Sequence, residues 1–208
     1  MATSKQEVVA IKPLNFERVQ VTLVGTAPYM QARFSAKSMQ AMMAKHEAGS
    51  TAKKGGKKEA RDFDADFRGA MHISEDGWHG VPAAALRNAC IDVCRMAGFK
   101  MTHAKMSVFI EADGRDEVDG APLVKLIAGK PERVDMATRN ATGVADIRVR
   151  PMWRDWQINL VIRYDADQFT RSDVVNLISR AGEQVGIGEG RPFSKSSNGL
   201  GYGTFRVG

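Results

Sequence analysis

The stretch Asp146-Ile-Arg-Val-Arg-Pro-Met-Trp-Arg-Asp-Trp-Gln-Ile-Asn-Leu-Val-Ile-Arg-Tyr164 decides how the fold is read. Ile147 and Val149 alternate with Arg148 and Arg150. After Arg154-Asp155, the residues Trp156, Ile158, Leu160, Ile162 and Tyr164 alternate with Gln157, Asn159, Val161 and Arg163. A period of two sends successive side chains to opposite faces, so both segments read as half-buried strands. With Arg154-Asp155 as a two-residue turn, Trp153 lies opposite Trp156, Arg150 opposite Asn159 and Asp146 opposite Arg163. That register turns every large apolar residue except Met152 and Val161 to one face and gathers Arg148, Arg150 and Arg163 on the other. A hairpin of this kind argues for antiparallel pairing and an α+β fold rather than a doubly wound parallel sheet.

Working outward, Val19, Val21 and Leu23 alternate with Arg18, Gln20 and Thr22, which predicts another half-buried strand ending at Gly25. Residues 35–48 are rich in helix formers behind a capping Ser35, and Met39, Met42 and Met43 at helical spacing predict core packing. Asp62, Asp64 and Asp66 alternate with Phe63, Ala65 and Phe67 and read as solvated edge residues, because no calcium-loop pattern follows. Residues 69–81 read as a hairpin turning at Glu75-Asp76-Gly77. A helix then starts at Pro82, carries Leu86, Cys90, Val93, Cys94 and Ala97 on one stripe, and ends at Gly98. Residues 106–112 and 123–128 read as strands, and residues 130–144 as loop without a period. A last helix, capped by Thr170 or Ser172, turns Val174, Val175, Leu177, Ile178, Ala181 and Val185 inward.

The 208 residues are 43% hydrophobic, enough to bury a core, and Lys plus Arg outnumber Asp plus Glu by 30 to 24. The formal charge of +6 favours polyanionic partners. No apolar run approaches the roughly 20 residues that span a bilayer, and the first residues lack the apolar stretch of a secretion signal. A cytoplasmic protein without a membrane partner is expected. Cys90 and Cys94 share a helix face at a spacing that would strain a disulfide, so reduced, buried thiols are expected. His46, His72, His79 and His103 show no ligand spacing with that pair, and neither a metal nor another cofactor is expected.

Gly186, Gly188 and Gly190, then Gly199, Gly201 and Gly203, form two alternating clusters separated by Arg191, Lys195 and small hydroxyl residues. Glycine lets a backbone approach a ligand closely, and successive N–H groups in such turns make concave anion sites. The same glycines equally suit a hairpin packed tightly on a helix. No Walker loop or dinucleotide fingerprint is present, since no Gly-Lys-Ser/Thr follows and the first cluster follows a helix. Residues 49–61 form a flexible basic loop whose Lys53, Lys54, Lys57 and Lys58 are either simply solvated or able to close over a phosphate backbone. Phe34, Trp78, Phe193 and Tyr202 are candidates to stack on bases, at about 1–3 kcal/mol per base. For a chain that cuts RNA without metal, His46 beside Lys45 and His103 near Lys105 are the candidate general bases.

The segment GIGEGRPFSKSSNGLGYGTFRV, residues 186–207, resembles the signature loop of the RAMP superfamily, the RNA-binding proteins of CRISPR effector complexes. HGVPAAALRNACIDVCR, residues 79–95, looks like that superfamily's turn into a helix, with Leu86 and Arg87 in the places of its leucine and basic residue. VTLVGTAPYM, residues 21–30, looks like its opening strand and loop. The chain is also similar to phage and prophage proteins with an RP-x-W-x-x-W hairpin, here residues 150–156. The resemblance spans most of residues 19–207. The basic loop and residues 130–144 match no motif of the family.

What the resemblance implies is a ferredoxin-like, RRM-like antiparallel sheet with helices on one face and loop insertions. An extension over residues 1–17 would precede one domain over residues 18–208. It implies non-catalytic binding of single-stranded RNA or DNA, side-by-side self-association, and a home in a bacterial cell or its phage. The expected contacts are Arg87, Arg148, Arg150, Arg163, Arg191, Lys195, the six glycines and the lysine loop. The alternatives are a metal-independent endoribonuclease of the CRISPR kind, and a phage structural or assembly protein that binds no nucleic acid.

Overall fold

The computed structural model describes residues 12–34, 36–47, 49, 60–139, 143, 145–193 and 199–208. The chain runs through β1 (Phe16–Gly25), β2 (Tyr29–Met30), α1 (Ala36–Glu47), α2 (Phe63–Gly69), β3 (Gly80–Pro82), α3 (Ala83–Met96), α4 (Met101–Ser107) and β4 (Val108–Ile110). It continues through β5 (Gly114–Arg115), β6 (Pro122–Lys125), β7 (Ile127–Ala128), β8 (Glu132–Arg139), β9 (Ala145–Trp153) and β10 (Trp156–Asp165). The last elements are α5 (Arg171–Arg180), a π-helical turn at Ala181–Val185 and β11 (Phe205–Val207). Helices and antiparallel strands make an α+β fold.

Alternation dictates the main sheet. In β1 the buried residues Val19, Val21 and Leu23, and in β10 Ile158, Leu160, Ile162 and Tyr164, lie on the face that α3 and α5 cover. The two strands pair antiparallel from Phe16 opposite Asp165 to Val24 opposite Gln157. The sheet order is β11-β1-β10-β4, with β7 also on β10.

The expected hairpin does not form. β9 pairs with β2 and β8 in a second sheet, so the chain changes sheets at Arg154–Asp155 and β9 makes no ladder with β10. The registers Trp153–Trp156, Arg150–Asn159 and Asp146–Arg163 are therefore incorrect. Two physical reasons are visible. The long β1 ladder and β4 occupy both edges of β10. At the end of β9, Pro151, Met152 and Trp153 are buried consecutively, which breaks the period of two. Trp153 and Trp156 instead pack on the same ring, that of Tyr29, with centroids 5.8 and 5.5 Å away.

Five further expectations are corrected. Asp62 caps α2, its carboxylate accepting from the amides of Asp64 and Ala65, so the acidic run starts a helix rather than lining an edge. Within residues 130–144, β8 forms a ribbon with β9, in which half-buried Val134, Met136 and Thr138 alternate with exposed Arg133, Asp135 and Ala137, a weak period because Thr138 is polar and Ala137 apolar. The strand expected from residue 106 begins at Val108, after α4, and the one over residues 123–128 divides at Leu126 into β6 and β7, which join different sheets. Met39, Met42 and Met43 are exposed at 38, 51 and 55%, because α1 stands off the core.

The signals hold for α3 and α5, except that Ala97, expected on the buried stripe of α3, is its exposed C-cap. Leu86, Cys90, Val93 and Cys94 of α3 are buried, and both cysteines are free thiols, with burial pushing that of Cys90 up to about 12. Thr170 and Asp173 form a capping box at the start of α5. Removing a side chain such as Leu86, with no exposed surface, from water contributes about 2 kcal/mol. Among the described residues no helix is long and apolar enough to cross a membrane.

Candidate functional site

Arg148 and Arg150 lie two apart on β9. Val149 between them is fully buried, so both guanidiniums leave the ribbon on the same side. There they meet Glu189 of the glycine segment. Arg148 Nη1 lies 3.5 Å from Oε1, and Arg150 Nε donates to Oε2. Arg150 Nη1 also donates to its neighbour's carbonyl, Val149 O, at 3.0 Å. Arg191 turns back on the same segment, donating from Nη1 to Gly188 O at 3.0 Å and from Nε to Phe193 O at 3.1 Å.

The two glycine clusters hold each other. Ile187 N donates to Gly203 O at 3.0 Å, Tyr202 N to Gly190 O at 3.1 Å, and Glu189 N to Met30 O of β2 at 2.9 Å. A Cβ on Gly203 would lie 1.8 Å from Ile187 O, and one on Gly188 would lie 2.4 Å from Met30 O, both at positive φ. Close backbone packing thus explains glycine at these two positions. Gly199 and Gly201 face open space.

Together these parts border a cleft of about 450 Å3, lined by Arg148, Arg150, Glu189, Arg191, His72 and Ala85. Ala85 belongs to the first turn of α3, whose N-cap, Pro82, makes no side-chain capping bond. The positive end of that helix dipole therefore adds to the guanidinium charge.

A buried polar network supports the other wall. Asp116, with no exposed side-chain surface, accepts from Arg33 Nη2 at 2.8 Å and from Val118 N at 2.9 Å, and its Oδ2 lies 2.9 Å from His72 Nδ1. Gln31 accepts from His72 N at 2.9 Å and donates to Gly80 O at 2.6 Å and to the Tyr29 hydroxyl at 3.1 Å. Burial holds the Tyr29 phenol well above its usual range, so it stays protonated. These bonds fix the imidazole of His72 at the cleft edge.

The remaining candidates lie elsewhere. Arg163 is on β10, on the sheet face away from the helices, 4.9 Å from the ring centres of both Phe16 and Phe109. It does not join Arg148 and Arg150, because the hairpin that would bring them together is absent. Arg87 spends its guanidinium on the junction of α4 and β4, donating to Val108 O at 2.9 Å and to Lys105 O. His46 on α1 and His103 on α4 are exposed and do not line the cleft. Trp78 packs over the bare backbone of Gly80 and Gly114, while Phe34 and Phe193 are exposed and Tyr202 touches Gly190. Lys53, Lys54, Lys57, Lys58 and Lys195 lie outside the described residues.

Sequence reasoning misses Glu189, His72, Asp116 and Gln31. Glu189 carried a usable signal: a carboxylate between two glycines, next to cations that need a counter-charge. His72 and Asp116 carried none, being 44 positions apart on irregular chain. No protein-family model matches the chain, and no curated protein matches it either.

Proposed function

We propose that the chain binds single-stranded nucleic acid, without cutting it, in the cleft between β9 and the glycine segment. The observation that carries this reading is the convergence of Arg148, Arg150 and Arg191 on one cleft of about 450 Å3. Guanidinium forks match phosphate oxygens, and an uncapped helix start favours the same charge. A cleft of this size takes about one nucleotide at a time, which suits a single strand rather than a duplex.

A ferredoxin-like core is supported by the order of β1, α3, β4, β10, α5 and β11 along the chain, with the strands arranged β11-β1-β10-β4. The other strands are then insertions, and the glycine segment follows the second core helix, as in the RAMP superfamily. Side-by-side self-association belongs to the same reading, and sedimentation with and without oligonucleotide tests it.

The binding test is anisotropy of a labelled oligonucleotide against salt. Three phosphate contacts on a single strand give a slope of log K on log salt of roughly −2. A flat response contradicts the reading and favours an assembly protein that binds no nucleic acid.

One observation favours a second, catalytic reading: the His72 imidazole is anchored by Asp116 beside three arginines. In that reading His72 takes the proton of a ribose 2′-hydroxyl, the 2′-oxygen bonds to phosphorus, and the bond to the 5′-oxygen breaks as that oxygen takes a proton from water, giving a cyclic phosphate and a 5′-hydroxyl. Intact RNA after incubation with the protein in chelator disposes of it.

A further inference from the structure

We infer that Glu189 is a built-in competitor for the ligand's phosphate, and that it determines which anions the cleft accepts. The inference rests on the cleft being a phosphate site and adds how that site selects. Both guanidiniums of β9 converge on the two oxygens of this single carboxylate, which stands where a bridging phosphate would make the same contacts.

The carboxylate is tethered. Its backbone amide is bonded to Met30 O at 2.9 Å, and the preceding Gly188 is pressed against that same carbonyl. A dissolved anion therefore competes with a group held at an effective concentration on the order of millimolar or above. The competition is uneven across anion classes. Inorganic phosphate or a mononucleotide has only the Glu189 position to take. A polynucleotide that displaces Glu189 with one phosphate keeps further contacts along its strand, with Arg191 and Ala85 in the first turn of α3 lining the same cleft. Glu189 thus rejects single anions and admits polyanions. The described residues that line the cleft carry three guanidiniums and one carboxylate, a positive balance that favours a polyanion.

Glu189→Gln keeps the shape and removes the charge, while Val149 O still holds the Arg150 guanidinium. Titration of wild type and Glu189→Gln with inorganic phosphate and with a labelled single-stranded oligonucleotide tests the inference. The expected result is no phosphate binding by wild type at millimolar concentration and measurable binding by the variant. Oligonucleotide affinity should rise about tenfold, the loss of one charge-assisted contact that the ligand must otherwise break. Wild type that binds the oligonucleotide and a variant that binds neither ligand more tightly overturns this inference and leaves the cleft reading standing. Failure of both proteins to bind any oligonucleotide overturns both. If the variant does not fold, carboxyl-carbon NMR of wild type replaces it: the Glu189 resonance must move on oligonucleotide addition, and a static one overturns the inference.

Discussion

His72 Nδ1 lies 2.9 Å from Oδ2 of Asp116, a carboxylate with no exposed side-chain surface. The pair adds a side-chain tie to two segments that the backbone bridge between Ser74 and Asp116 already joins, and it orients the imidazole at the edge of the arginine cleft. Asp116 also neutralises Arg33, whose side chain is 7% exposed. One buried carboxylate therefore serves stability and site geometry together.

Asp116→Asn should be strongly destabilising, by about 3 kcal/mol, because it leaves the buried Arg33 with only the longer, partly exposed ion pair to Asp119 at 3.5 Å. Chemical denaturation checks this. A loss below 1 kcal/mol would mean that Asp119 alone suffices as the counter-charge of Arg33.

A pH effect follows from His79. Its ring is partly buried and edge-on to Trp153, at 5.3 Å, and desolvation lowers its pKa below the ordinary 6.5. The unfolded chain then binds the proton more readily than the folded one. Stability from this group is complete above pH 6.5 and is lost as pH falls through the depressed folded value. Denaturation between pH 7 and 5 should show this slope, and His79→Phe should flatten it.

Two glycines of the C-terminal segment should respond differently to alanine. At Gly203 the new Cβ would sit 1.8 Å from Ile187 O, forcing the paired segments apart, so the cost should exceed about 3 kcal/mol and the cleft should open. At Gly199, where φ is positive and an added Cβ would meet no described atom within 4 Å, backbone strain sets the cost, about 1–2 kcal/mol. Equal melting temperatures for the two variants would refute the packing account.

Much of this was legible in the sequence where the cause is local. Alternation in β1 and β10, the apolar stripe of α3 and the Thr170 cap of α5 each follow from neighbouring residues. Pairing partners did not follow, because the turn-like Arg154-Asp155 is compatible with a hairpin and with a change of sheet. The strands that take the two edges of β10, β1 and β4, lie far away in sequence and decide between them. The same limit applies to the site. Arg148, Arg150 and Arg191 are readable as cations on one strand and one glycine segment. Their shared carboxylate and the Asp116 anchor depend on tertiary contacts that no spacing encodes, and Arg163 drops out of the cluster for the same reason.

The central claim is that polyanions bind the cleft and not the open face of the main sheet. Oligonucleotide affinity against salt, measured for wild type, the double variant Arg148→Ala/Arg150→Ala and Arg163→Ala, tests it most directly. The double variant should lose at least tenfold in affinity, with the salt slope shallower by roughly 1.4, while Arg163→Ala keeps both. A double variant that binds like wild type, or an Arg163→Ala protein that loses as much, would contradict the account.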